Sequence, residues 1–426
     1  MRIKGLLGTT CLCIGLFSGH IAAEELTLGD AAKRTLTQNP FLNVYKLQDE
    51  ALNARRGTAS LRPPLEFGIE VENFAGSGVT QGFDDAEITV SLSSVIELGS
   101  KRSARIALMD SKAGKLRAEL QSGALDVLGG MTSQFITALA LREQLSLAQE
   151  SSALASRTSL TVQQRVEAGV AADAELLRSQ ALESQAKIAA ERVSHQLDVA
   201  IVGLGVFWGS RERTPYDVEG DLFHFGQDKT FPELWKLVAS SPAVRVFASE
   251  ERLKDAEIRL AESRSRLDIR WSLGVRRLEG IDENALVGSL QIPLFSGRRN
   301  RGELAAFRSE RAEIEVRREQ SLNVLYARLY DAYATRAQSI AAVQTLADET
   351  IPALTSALKE TQSAYDAGLY SYLELIAAQR ALIDAKQTHI ATAANALQAA
   401  VVIEQLTGIP LQPGTDAGHT LQETLR

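Results

Sequence analysis

Side chains able to hold a metal, carry a proton or act as a nucleophile are sparse in this sequence, and their spacing builds no reactive centre. Beyond residue 23 the histidines are His195, His224, His389 and His419. None has a second ligand at the spacing a zinc site needs, and no HExxH run occurs. Each is expected to be a surface or packing residue. Both cysteines, Cys11 and Cys13, fall within the first 23 residues, so the rest of the chain offers neither a thiolate ligand nor a disulfide. Beyond Met1 the methionines are Met109 and Met131, too few for a soft-metal ladder. Glycine-rich phosphate loops and nucleophile elbows are absent from the sequence. The expectation is a protein that is not an enzyme, with no cofactor and no resident metal.

The acids that do stand out lie in a stretch that occurs twice. Residues 166–180 read VEAGVAADAELLRSQ and residues 365–379 read YDAGLYSYLELIAAQ. Gly169 aligns with Gly368, Glu175 with Glu374, Leu176 with Leu375 and Gln180 with Gln379, all at an offset of 199. Each glycine interrupts a long helical pattern, where the left-handed position after a helix favours it. Asp173 and Ser371 are placed to cap the helices that return. Ser371-Tyr-Leu-Glu374 also has the spacing of a capping box, in which the glutamate bonds back to the serine N–H. The segments Arg165–Glu175 and Ala364–Glu374 therefore read as the tips of two helical hairpins.

The elements behind those tips read as two repeats. Helices are expected near 29–59 and 231–265, long helices at 101–168 and 298–367, and return helices at 171–207 and 370–407. A helix of that length runs about 100 Å at 1.5 Å per residue, too long for a globule. Pro352 is expected to kink or break its helix. In domain terms these are repeat 1 at 24–208, a linker at 209–230, repeat 2 at 231–408 and a disordered tail at 409–426. Residues 1–23 have a basic end, an apolar stretch and small residues at Ala22–Ala23, the pattern of a cleaved export signal. Later apolar runs, Val199–Trp208 among them, are too short to cross a membrane as helices. The net charge of −7, or −9 with Arg2 and Lys4 set aside, argues against nucleic acid as a partner.

Between the first helix and the long helix of each repeat lie two alternating segments, near 65–73 and 86–98 and near 267–277 and 284–295. Leu65, Phe67, Ile69 and Val71 share one parity, with Glu66, Glu70 and Glu72 on the other; Trp271 and Leu273 do the same against Ser272. Strict alternation suits a barrel strand facing lipid, and equally a half-buried sheet in a soluble protein. Four strands cannot close a membrane barrel, but three copies give twelve, and the same copies close a helical tube. After each hairpin the chain turns basic, at Lys101, Arg102 and Arg105 and at Arg298, Arg299 and Arg301. This is either a solvated helix start or a ring near anionic head groups.

The segment from Val71 to Arg102, VENFAGSG…GFDDAEITVSLSSVIELGSKR, resembles TolC-type outer-membrane factors of tripartite efflux systems, and within them the channel subunits of cobalt–zinc–cadmium exporters. The resemblance extends over most of the chain, including its duplication. It implies a mixed α/β membrane protein, mainly α: a homotrimer with a twelve-stranded outer-membrane barrel, four strands per protomer, continued by an α-helical coiled-coil tunnel into the periplasm. It implies a periplasmic adaptor and an inner-membrane proton-driven pump of the RND type as partners, with metal selectivity residing in the pump. Leu65, Phe67, Ile69, Val71, Trp271 and Leu273 would face lipid. Arg165, Gly169, Asp173, Glu175, Gly368 and Ser371 would form adaptor-docking tips. Glu374 and Tyr370 would line the gate; a second acid of the family pattern is here Ala377. Some relatives carry an N-terminal lipid, whose signal this sequence lacks. A drug or solvent channel of the same fold, and a periplasmic coiled-coil adaptor, are the alternatives.

Overall fold

A computed structural model describes residues 24–211, 216–227, 229–293 and 300–409. The expected signal at 1–23, most of the tail, Leu294, Arg298 and Arg299 lie outside the described residues. A short strand β1 (Glu24–Thr27) leads into α1 (Leu28–Gln38) and α2 (Pro40–Ala59). The hairpin β2 (Glu66–Glu72) and β3 (Glu87–Glu97) follows, then the long helix α3 (Lys101–Glu167) and its return α4 (Asp173–Val206). The second half repeats this order. Strand β4 (Tyr216–Glu219) precedes α5 (Phe231–Ala239) and α6 (Pro242–Arg264), the hairpin β5 (Asp268–Leu278) and β6 (Glu283–Gln291), then α7 (Arg301–Thr345), α8 (Ile351–Asp366) and the return helix α9 (Tyr372–Thr407).

Two expected single helices are broken, in both repeats at a proline. The first breaks at Asn39, whose side chain caps α2 by accepting from Phe41 N at 2.9 Å, with Pro40 opening the new helix. The second breaks at Ser240–Ser241 ahead of Pro242. Proline suits the first turn of a helix because its missing N–H has no intrahelical acceptor there. Pro352 acts as expected: α7 and α8 are separated by a π-helical turn over Leu346–Thr350, just before it. Strands β1 and β4 pair in parallel, Leu26 against Val218, a small sheet that pattern reading missed. Leu26 and Val218 are buried there against Met131 and Phe135 of α3.

The larger sheet has the order β2-β3-β5-β6, all antiparallel. Its register aligns one apolar face: Phe67, Leu92 and Leu273 lie in one row, and Ile69, Val90, Val275 and Leu286 in the next. That face is open, with Phe67 68% and Leu286 82% exposed. Leu65 and Leu273 are exposed with it, while Trp271 is half-buried beside Leu290. The other face is polar. Arg276 reaches Glu72 at 3.0 Å and Glu87 at 2.5 Å there, and Arg270 reaches Glu66 at 3.5 Å.

The basic run after β3 is engaged inside the chain. Arg105 donates to the carbonyls of Ala59 and Leu61 and pairs with Glu97 at 2.5 Å; Arg102 donates to Ser60 O. Lys101 Nζ donates to Arg266 O at 2.9 Å and lies 2.6 Å from Asp268 Oδ1. These cations start α3, where the dipole opposes them, but they sit at the carboxyl ends of the antiparallel helices α2 and α6, where it favours them. Neither reading from sequence anticipated this junction. In the second repeat Asn300 does part of the same work, donating to Ala261 O at 3.2 Å.

Contrary to the expectation from apolar run lengths, α3 does contain an 18-residue window of mean hydropathy 1.3, long and apolar enough by composition to cross a membrane. Half of that window is buried inside the protein, as in a core helix. The helix packs on α4, α6 and α9.

Candidate functional site

The two hairpin tips lie side by side at the end of the helical wall. Both turn by the same backbone device. Gly169, with φ +74°, donates from its N–H to Val166 O at 2.8 Å, and Val170 N–H reaches Arg165 O at 2.9 Å. Gly368, with φ +77°, donates to Tyr365 O at 2.9 Å, and Leu369 N–H reaches Ala364 O at 2.8 Å. These are paired Schellman turns, which satisfy the last carbonyls of α3 and α8. Among the described residues nothing crowds either glycine, so the backbone angle is what demands it. Gly169→Val and Gly368→Val should each cost about 1–2 kcal/mol through the left-handed turn alone. Thermal unfolding in detergent should show that loss; an unchanged midpoint would mean the tip relaxes freely.

The caps on the returning helices differ between the repeats. Ser371 caps α9 as expected: Ser371 N–H donates to Glu374 Oε2 at 2.7 Å, and Glu374 N–H donates to Ser371 Oγ at 3.4 Å. The hydrogen bond from the Ser371 N–H, then that from its hydroxyl, hold the exposed Glu374 carboxyl below the usual carboxylate range. Asp173 is not a cap. It is the first residue of α4, after Ala172, and among the described residues no side chain caps that helix. The offset of 199 explains this, since the counterpart of Ser371 is Ala172 and that of Asp173 is Tyr372. Glu175 occupies the third position of α4 without a serine to complete a box. Asp173 and Glu175 keep a favourable place near the positive end of the helix dipole.

Arg165 joins the tips. It donates to Tyr365 O at 3.1 Å and Asp366 O at 3.3 Å, and its guanidinium lies 4.6 Å from the centre of the Tyr365 ring. Two tyrosines that sequence reading passed over form the core beneath. Tyr365 and Tyr372 are buried with Val162 and Leu375, and neither hydroxyl has a hydrogen-bond partner among the described residues. Burial pushes both phenols above their usual range. Their signal was their placement around Gly368 in YDAGLYSY. Val170, Leu369, Tyr370 and Leu373 stay open at the end of the tips, with Leu369 79% exposed. The tips thus combine an internally fastened core with an apolar outer rim.

Among the described residues no cluster of three or more His, Cys, Asp or Glu could hold a metal. His389 is a packing residue: its ring stacks on Phe223 at 4.4 Å, and burial pushes its imidazole down.

Comparison with known proteins agrees with this geometry. The chain is 26% identical over 91% of its length, and 91% of the relative's, to the cobalt-zinc-cadmium resistance protein CzcC of Cupriavidus metallidurans. It is 25% identical over 70% of its length, and 68% of the relative's, to the nickel-cobalt-cadmium resistance protein NccC of Alcaligenes xylosoxydans xylosoxydans. The solved outer-membrane channel OprN shares the fold, with a TM-score of 0.75 at 16% identity and 91% of each chain covered. The outer membrane efflux protein family matches twice, over residues 32–210 and 235–409. Each match takes in one β-hairpin, one long helical segment and one return helix, so the duplication seen in the structure is the family's own unit, and this chain belongs to the outer membrane efflux protein family.

Proposed function

We propose that this chain is the outer-membrane exit duct of a metal-cation efflux assembly of the cobalt–zinc–cadmium type. The observation that carries the cargo is the match to CzcC along nine-tenths of both chains. The chemistry is that of a conduit: passage requires sites weak enough to release cargo, and a tight metal cage in the wall would slow it. The adaptor alternative does not account for the duplicated family match.

In this reading three copies close the four-stranded sheets into one twelve-stranded barrel, with the Phe67–Leu273 face toward lipid and the Glu66–Arg276 face toward the lumen. The exposed apolar face supports it, because water would not favour so large a patch on a free sheet. Residues 1–23 direct export and are removed. The apolar rim of the tips, Val170, Leu369 and Tyr370, is where a periplasmic adaptor coupled to an inner-membrane pump docks, with Gly169 and Gly368 setting the rim's shape.

Glu374 caps α9 and, carried on threefold-related tips, also places negative charge at the entrance with Tyr370. Its two roles separate in one substitution. Glu374→Gln keeps an acceptor for the Ser371 N–H and removes the charge. In planar bilayers the variant should lose cation preference and divalent-cation block, with thermal stability nearly unchanged. Wild-type selectivity in Glu374→Gln, together with lower stability in Glu374→Ala, would leave only the cap.

A further inference from the structure

The duplication allows the contact between copies to be read from a contact inside one chain. In the helical wall α4 packs on α3, α3 on α9, and α9 on α7 and α8. The order is therefore α4-α3-α9-α7/α8, and the outer helices of the wall are α4 and α7/α8. α3 corresponds to α7/α8 and α4 to α9. The junction α3–α9, which joins repeat 1 to repeat 2 within the chain, thus has an unmade counterpart that joins α7/α8 to α4.

The side chains of α4 show what that counterpart lacks. Val202 is 39% exposed, whereas its equivalent Val401 is 4% exposed in the internal junction. Leu177 is 67% exposed, whereas its equivalent Ile376 packs in the tip core. Gln180 is exposed, whereas Gln379 is buried and donates to Thr158 of α3 at 3.0 Å. The leading helices agree independently. α6 lies between α3 and α7 and buries Ala256 and Leu260, while α2, packed on α3 alone among the long helices, buries no residue and leaves Phe41 and Leu47 exposed. Both differences vanish if α7/α8 of another copy covers α4 and α2.

One charged pair fixes the register. Within the chain Lys386 of α9 holds both oxygens of Glu150 on α3, at 2.8 and 3.0 Å. The equivalent of Lys386 is Lys187, 59% exposed at its side chain and, among the described residues, bonded only along its own helix, to Glu183 at 2.7 Å. The equivalent of Glu150 falls in the π-helical turn. Above that turn the repeats align at an offset of 198, Met131 with Leu329 and Phe135 with Tyr333; below it the offset is 199, Glu167 with Asp366. Glu150 therefore maps to Asp348 or Glu349, both carboxylates and both exposed.

In the trimeric duct proposed above, α7/α8 of one copy lies against α4 and α2 of the next, and we infer that Lys187 pairs across that seam with the Asp348–Glu349 carboxylates and so fixes its register. A heterologous contact closes into a ring when its rotation divides the full turn, as three copies require here. The inference deepens the trimeric duct proposed above and rests on it.

Cross-linking tests it, since the chain after Cys13 has no cysteine to compete. The full-length protein carrying Lys187→Cys with Asp348→Cys, and a second version carrying Lys187→Cys with Glu349→Cys, are treated with a short bis-maleimide in the membrane. At least one should shift to dimer and trimer bands on a denaturing gel. A control with Glu150→Cys and Lys386→Cys should link within the chain and stay at monomer mass. Native mass is measured on the untreated protein. Trimers by native mass with no intermolecular link in either double variant would overturn the seam while leaving the trimer standing. Monomers by native mass would overturn the trimer and the seam together.

Discussion

Leu273→Arg should strip this protein from the outer membrane, while Ser272→Arg, one residue earlier, should leave it assembled. Leu273 lies in the middle of β5, opposite Leu92 of β3 and Gly288 of β6, and is 59% exposed on the apolar face. Ser272 sits in the row with Ser93 and Ser289 on the polar face. A cation on the lipid side of a barrel costs about 2–4 kcal/mol near the midplane, and a closed trimer would carry it three times. The check is the amount of heat-modifiable trimer in outer-membrane fractions. Equal assembly of the two variants would mean that the faces are assigned wrongly or that no lipid touches this sheet.

Lys101→Met should destabilise the junction between sheet and helices by about 2 kcal/mol, less than the roughly 3–5 kcal/mol that breaking a fully buried ion pair costs. Lys101 is buried at that junction, and methionine keeps much of its length while removing the ammonium. Asp268 then loses its partner at 2.6 Å and Arg266 O loses its donor. The carboxylate is about a third exposed, so water screens part of the loss. Denaturant unfolding of the single variant should show the drop, and Lys101→Met with Asp268→Asn should recover most of it. A double variant as unstable as the single one would show that the carbonyl contact, and not the ion pair, is what matters.

What the sequence made legible was whatever has a strict period or a fixed turn chemistry. Alternation over 65–73 and 267–277 gave the strands, their faces and nearly their ends, because one face must be apolar throughout. Gly169 and Gly368 marked the hairpin tips, since few other residues tolerate φ near +75°. The capping box at Ser371 was readable from spacing alone. Asp173 was misjudged because Asp is as good a cap as Ser, and only the offset shows that Ala172 holds that position. The Asn39–Pro40 and Ser241–Pro242 breaks were written in the sequence but were overridden by the helical period on either side. Contacts between distant segments left no local signal. Arg165 on Tyr365, Lys101 on Asp268 and β1 on β4 pair residues roughly 170 to 200 positions apart, which no window of periodicity spans. The buried tyrosines of the tip were hidden for the same reason: aromatic residues beside a turn look exposed until the second hairpin covers them.

The central claim is that metal cations leave the cell through this chain. The direct measurement is cobalt, zinc and cadmium retained by cells that lack the chain but keep the rest of their efflux machinery, against the same cells carrying it on a plasmid. Higher retained metal and lower tolerance are expected in the deletion strain, restored by the wild-type chain and not by Leu273→Arg. Unchanged metal retention in the deletion strain, together with new sensitivity to organic solvents or drugs, would contradict the metal reading and assign the duct to a different cargo.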